Sequence, residues 1–338
     1  MHIPDGYLSP QTCAVMGAAM LPVWVAAIKR VNQILKTRLV PLMAIGAAFS
    51  FVIMMYNVPI PGGTTAHAVG GGIIAIILGP WAACISITIA LAIQALLFGD
   101  GGILAFGANT FNIAFILPFT AYYVYRLIAG KTEVSSSRRW IGGLVGGYIG
   151  LNLAAVAAAV EFGIQPALFH TADGIALYCP YPLSLAIPAM AFAHLLIAGP
   201  IEGIVTALVV RYLQASNSSL LSIENTQAPT EGQSYRKLWW GLGALIVFSP
   251  LGLLASGTAW GEWGLDEMEE KLGFIPQGMS RLSASWRALV PDYGIPGLDQ
   301  TFFQSAAGYI ISALAGLAII LAITYIFSYM QKKTRENN

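Results

Sequence analysis

The chain is 338 residues long, 57% hydrophobic and only 10% charged, which leaves too little polar surface to cover a water-soluble globule of this size and places it in a membrane. A formal net charge of +1, with no block of Lys and Arg interleaved with aromatics, excludes a nucleic-acid binder. Cys13, Cys84 and Cys179 lie far apart without paired spacing, which argues for small buried hydrophobes rather than a disulfide framework or a thiolate metal site.

A spanning helix needs about 20 apolar residues. Windows of that length predict nine spans, near 11–28, 39–56, 65–79, 81–98, 105–126, 140–160, 184–210, 238–256 and 304–329. Only Gly79-Pro80 separates the third from the fourth; the pair would also fit one broken helical hairpin, and they are counted as two. The expected fold is therefore an all-α polytopic membrane bundle. With nine crossings, Lys29, Arg30, Lys36, Arg38, Arg126, Lys131, Arg138, Arg139, Arg211, Arg236, Lys237, Lys332, Lys333 and Arg335 fall on one side, which the positive-inside rule makes the cytoplasm. The opposite side receives only Lys271, Arg281 and Arg287, with most of the carboxylates, Asp5, Asp100 and Glu262 among them. The N-terminus and His67 are expected outside, and the C-terminus inside.

The opening Met1-His2-Ile3-Pro4-Asp5-Gly6 lacks the basic start, apolar stretch and small-residue cleavage site of a secretory signal. Methionine removal requires a small second residue, and His2 is large, so the free α-amine of Met1 is expected to stay beside a histidine. Three regions follow: a membrane domain over 1–213, a polar Ser/Thr-rich cytoplasmic linker over 214–236, and a third region over 237–338. In that last region two spans flank an exterior loop, 257–303, that is long for an idle connection and rich in acids and tryptophan, which favours a docking role.

Catalytic templates fail. The chain has no His-Glu-x-x-His pair, no Gly-x-Ser-x-Gly elbow and no Gly-x-x-x-x-Gly-Lys-Ser/Thr phosphate loop, so any ATP-driven motor must be a separate chain. The N-terminus carries the informative chemistry. The Met1 α-amine, the amide nitrogen between Met1 and His2, and the Nδ1 of His2 can chelate one cation through fused five- and six-membered rings. Planar nitrogen coordination is the preference of Ni(II) or Cu(II), and Co(II) adopts it under strong-field ligands. A fourth nitrogen is needed, and His67 is the natural candidate, on the same side and bracketed by Gly62, Gly63, Gly70, Gly71 and Gly72, which permit close backbone approach. The turn at Pro4-Asp5-Gly6 lets the terminus fold back into the bundle.

The remaining polar residues have blander readings beside their functional ones. His170, with Asp173 in an exterior loop, is a solvated residue or part of an access route. His194 and Glu202 lie within the seventh span toward its cytoplasmic half, where ionisable groups are seldom idle, and suggest helix packing or subunit coupling. Asn109 and Asn112, three apart on one helix face, either hydrogen-bond between helices or orient the ligand histidine and its loop.

At these residues the chain resembles a known family. Met1 to Leu8, then Thr65-Ala66-His67-Ala68-Val69-Gly70-Gly71, then Gly107-Ala108-Asn109-Thr110-Phe111-Asn112, continuing through His194 to Glu202-Gly203, resemble the CbiM/NikM substrate-capture proteins of energy-coupling factor transporters for cobalt and nickel. The likeness covers residues 1–215. It implies a seven-helix subunit in which the amine of Met1, the backbone nitrogen and imidazole of His2, and the imidazole of His67 hold one divalent cation in a plane. It also implies a transmembrane coupling subunit and a pair of cytoplasmic ATPases as partners. Co2+ or Ni2+ would be cargo, with no prosthetic group. Residues 237–338 are similar to a fused form of the small auxiliary (CbiN/NikN-like) subunit, from Pro250-Leu251-Gly252 through Gly261-Glu262-Trp263-Gly264 to Pro291-Asp292-Tyr293-Gly294, with Tyr293 interrupting the commoner Pro-Asp-Gly run.

The competing readings are a self-sufficient channel or proton-coupled carrier and a metal-dependent membrane enzyme. The first is disfavoured because only Glu161 and Glu202 are acids near span interiors and no repeat is visible. The second lacks a base beside the histidines. Intrinsic affinity puts copper above both cobalt and nickel, so selection between metals must come from cavity geometry and supply.

Overall fold

The computed structural model describes residues 1–34, 40–61, 63–216, 218–221, 235–255 and 257–336. It is a helical bundle. Among the described residues, seven helices are long and apolar enough to cross a membrane: Pro10–Asn32, Pro80–Phe98, Phe106–Ala129, Ser137–Leu168, Leu183–Ser216, Arg236–Leu254 and Phe302–Ile326. Their outward faces carry large apolar side chains such as Val15, Leu21, Leu208 and Val247, all at least half exposed, as expected where lipid is the surrounding solvent.

Two of the nine expected spans, 39–56 and 65–79, are not among the described helices long enough to cross. The first helix, α1 (Pro10–Ile34), is followed by α2 (Val40–Met54), which has only 15 residues and twelve of them buried, so it is enclosed by its neighbours. The segment 65–79 is no span. It begins as the second strand of a hairpin, β1 (Val58–Ile60) paired antiparallel with β2 (Thr64–Ala66), passes through 67–70 without regular structure, and forms an eight-residue helix, α3 (Gly71–Leu78). Hydropathy measures apolar content, and a half-helix buried in protein is as apolar as one facing lipid. The break before α4 (Pro80–Ile93) is the expected one, with Pro80 in the first turn where its missing donor costs nothing. Of the linker expected over 214–236, Ser216 closes a helix and Ser218–Leu221 forms a 3-10 turn with Leu220 and Leu221 buried; residues 222–234 lie outside the described ones.

Helices pack closely where small residues face each other. A Cβ at Gly146, in the Ser137–Gly163 helix, would stand 2.5 Å from the Ala121 carbonyl oxygen. Bare backbone thus lies against backbone, the small-residue packing typical of membrane helices. The C-terminal helices join the same bundle. Phe302–Glu336 lies along α2, with the Tyr309 hydroxyl donating to the Met55 carbonyl at 2.9 Å, and the Tyr56 hydroxyl of the first region donates to the Leu245 carbonyl. The loop between the two C-terminal helices folds into short helices, Leu265–Leu272 and Gln277–Leu282, that cap the end of the bundle holding the N-terminus. Replacing Gly146 by Leu should lower unfolding stability by about 1–3 kcal/mol through overpacking. Thermal unfolding in detergent measures it, and an unchanged midpoint would show that the contact does not constrain the bundle.

Candidate metal centre

The chain begins inside the bundle. Met1, His2 and Ile3 are 4%, 1% and 0% exposed. Ile3 is held as a strand residue would be, but by a side chain: its N–H donates to Asn109 Oδ1 at 2.7 Å and its carbonyl accepts from Asn109 Nδ2 at 3.0 Å and from the Gly102 N–H at 2.8 Å. Asp5 then accepts from the N–H groups of Ile103, Leu104 and Ala105 at 2.8–3.2 Å, which fixes the loop entering the Phe106 helix. A side chain at Gly102 would strike Asp5, its Cβ only 2.1 Å from Oδ1, so the close approach requires glycine there. Beyond the turn, the Tyr7 carbonyl accepts from the Cys179 N–H and the Tyr7 hydroxyl donates to the Trp263 carbonyl.

His67 reaches the same place from the other side. Its neighbours are held by Glu202, fully buried in the Leu183–Ser216 helix, whose carboxylate accepts from the N–H groups of Val69 and Gly70 at 2.8 Å each and of Gly72 at 3.1 Å. These are the unpaired donors at the start of α3, and a carboxylate there is favoured by both hydrogen bonding and the helix dipole. The His2 and His67 rings stack with centroids 5.0 Å apart and planes 22° apart. His67 Nδ1 lies 3.0 Å from the Ala68 carbonyl; donation there puts the proton on Nδ1 and leaves a lone pair on Nε2, which is buried without a hydrogen-bond partner. Burial, then the nearby α-amine and His2, hold this imidazole well below the ordinary histidine value, so it is a neutral donor. Such orphaned buried nitrogens need a reason.

Two groups that sequence reasoning did not single out complete the surroundings. The Met1 amine donates to Glu262 Oε1 at 2.6 Å. His2 Nδ1 stands 2.7 Å from Asp100 Oδ1 but off the line of a hydrogen bond, and neither ring nitrogen has an aligned partner. Burial alone would raise the Asp100 carboxyl; the adjacent His2 and the Tyr293 hydroxyl outweigh it and hold the group below the usual carboxylate range. Both acids were visible only as exterior carboxylates, Asp100 among glycines and Glu262 between tryptophans.

The other expected residues separate. Asn109 clamps Ile3, whereas Asn112 Nδ2 donates to buried Glu161 Oε2 at 2.8 Å, one helix to another. His194 is buried with Nδ1 2.8 Å from the Met190 carbonyl in its own helix. Glu202 is enclosed and presents no surface for direct contact with another subunit. His170 is exposed in its loop, Nδ1 near the Thr171 carbonyl.

Comparison with known proteins gives the family. The family model described as the cobalt uptake substrate-specific transmembrane region matches residues 2–220, and a PDGLE domain matches residues 236–333. A fused nickel transport protein, NikMN, of Rhodobacter capsulatus is 51% identical, covering 95% of each chain. A probable fused nickel transport protein, LarMN, of Lactiplantibacillus plantarum is 46% identical over 96% of each. A crystal structure of a truncated transition metal transporter is 61% identical, covering 64% of this chain and 99% of that one, with a TM-score of 0.60. A multi-pass bundle of this kind, with relatives of these names, is a component of transition-metal transport. The chain belongs to the family of the cobalt uptake substrate-specific transmembrane region, carrying a PDGLE domain behind it.

Replacing Glu202 by Gln leaves one acceptor oxygen for three buried N–H donors. Stability should fall by about 2–4 kcal/mol from lost charged hydrogen bonds and unsatisfied donors, read by thermal unfolding, with metal affinity falling about tenfold as His67 loosens. Wild-type values for both would show that the carboxylate does not hold the His67 loop.

Proposed function

We propose that this protein is the substrate-capture subunit of an ATP-driven importer of the energy-coupling-factor type, and that it binds one Ni2+ or Co2+ through the Met1 amine, the His2 amide nitrogen, the His2 imidazole and His67 Nε2. The observation that carries the reading is the burial of both His2 ring nitrogens and of His67 Nε2, on two stacked rings, with no aligned hydrogen-bond partner. Nitrogen donors of that kind, joined to an α-amine on the adjacent residue, suit a metal that tolerates planar coordination. Nickel is favoured over cobalt because the relatives that match nearly end to end carry nickel in their names.

The ion arrives from outside, since the basic residues assign the opposite face to the cytoplasm. The protein lies in the cytoplasmic membrane with its N-terminus exterior and its C-terminus in the cytoplasm. Binding displaces protons from amine, amide and imidazole, so the metal is held tightly and does not leave unaided. Release into the cell therefore needs work supplied by a transmembrane coupling subunit and a cytoplasmic ATPase pair. The chain itself has no phosphate-binding loop motif, so the motor is a separate chain.

Elemental analysis of purified protein tests the donor set. His2→Ala and His67→Ala should each reduce bound nickel by at least about tenfold, and adding one residue ahead of Met1 should do the same by removing the chelate ring. Stoichiometric nickel in all three would defeat the assignment.

A further inference from the structure

The nitrogen plane leaves two acids without a task. Glu262 Oε1 is 2.6 Å from the Met1 amine and Asp100 Oδ1 is 2.7 Å from His2 Nδ1. One ligand atom from each of His2, Asp100 and Glu262 lies within 4.8 Å of the others, a spread that a single six-coordinate cation bridges. An acidic pair alone would be ordinary. Here it faces an imidazole that is 1% exposed and lacks an aligned partner at either nitrogen.

Glu262 also borders an opening beside the N-terminal segment. A cavity of about 220 Å³ opens between the N-terminal segment and the exterior loop, lined by Pro4, Gly101, Glu262, Trp263 and Trp286. Asp5 borders it but is committed to three backbone N–H groups. Asp100 is held in place from below: the Tyr293 hydroxyl donates to Oδ2 at 2.6 Å, and Gln94 Nε2 donates to both the Tyr293 hydroxyl and Oδ2. Asp292 and Tyr293 adopt φ of 53° and 61°, a left-handed backbone that non-glycine residues avoid. The Tyr293 ring is kept there by stacking on Phe98, 4.6 Å between centroids, and by edge contacts with Phe51 and Tyr309. The C-terminal region thus contributes one carboxylate and orients the other.

We infer that Asp100, Glu262 and His2 form a receiving site for a hydrated divalent cation, which the ion occupies before the nitrogens of Met1, His2 and His67 take it over. This rests on the nitrogen-chelate reading above. A hydrated cation exchanges water for carboxylate oxygen without displacing an amide proton, and two carboxylates offset its charge as it leaves solvent. Binding at the oxygen-rich set then presents a partly dehydrated ion to nitrogens already within reach.

Mn2+ is the probe, because it prefers oxygen donors and binds nitrogen-rich sites most weakly of the first-row ions. Its binding to the purified full chain, followed by electron paramagnetic resonance, should be similar in wild type and His67→Ala, about tenfold weaker in Glu262→Gln and in Asp100→Asn, and restored in Glu262→Asp. Nickel loading followed by stopped flow should slow about tenfold in Glu262→Gln. Mn2+ affinity that ignores both carboxylate substitutions, or no Mn2+ binding in wild type, overturns the receiving site. If His67→Ala loses nickel while Glu262→Gln loads at the wild-type rate, the receiving site alone falls; if His67→Ala keeps stoichiometric nickel, the chelate falls instead.

Discussion

The structure is organised around the burial of its own first residue. An ammonium taken out of water is costly unless it is paired and hydrogen-bonded, so a chain that starts inside a membrane bundle must supply partners for the amine and for each backbone group behind it. It does so one by one. Glu262 takes the amine, Asn109 and Gly102 take both sides of Ile3, Cys179 and the Trp263 carbonyl take Tyr7, and Asp5 takes three donors of the loop above. These partners come from regions separated by as many as 261 residues, so the terminus can dock only when the whole bundle and the exterior loop are in place.

The opposite wall is built by interrupting helices. α3 starts halfway, exposing N–H donors that only a buried acceptor can satisfy, and Glu202 satisfies them. Three helices also contain π-helical segments, Gln94–Phe98, Thr110–Ile116 and His194–Ala198. Each inserts a wider turn near a polar side chain that the core must accommodate: Gln94 reaches Asp100, Asn112 reaches Glu161, and His194 turns back on the Met190 carbonyl. Such bulges recur at functional sites because the added residue rotates side chains out of the regular stripe.

What the sequence disclosed follows from range. Apolar windows located the long helices, because spanning length is a local property. They misjudged 65–79, where the same apolar content belongs to a hairpin and a buried half-helix. His2 and His67 were singled out from local features, a histidine next to the α-amine and a histidine among glycines, and the structure brings their two rings together. Asp100 and Glu262 were not legible as site residues. They meet His2 and Met1 only through packing of the C-terminal loop onto the bundle, and nothing local separates them from other exterior acids. Glu202 was noticed for its cost in a membrane, but its hydrogen bonds to residues more than 130 positions earlier belong to tertiary structure.

Joining the N-terminal bundle to the PDGLE region on one chain has a physical consequence around Met1 and His2. The loop at 257–303 brings the Glu262 carboxylate to the amine, the Trp263 carbonyl to the Tyr7 hydroxyl and the strained Tyr293 to Asp100. As a separate subunit, that loop would have to meet the bundle by diffusion within the bilayer; tethered, it docks intramolecularly at the far higher effective concentration a linker provides. The strain at Asp292 and Tyr293 is tolerated because the loop is held at several other points, including the Trp286 Nε1 donation to the Leu96 carbonyl and the Val290 N–H donation to Leu97. A loop so anchored keeps a carboxylate beside the amine, since Glu262 approaches from the cavity side while the His67 ring stacks on His2 from within.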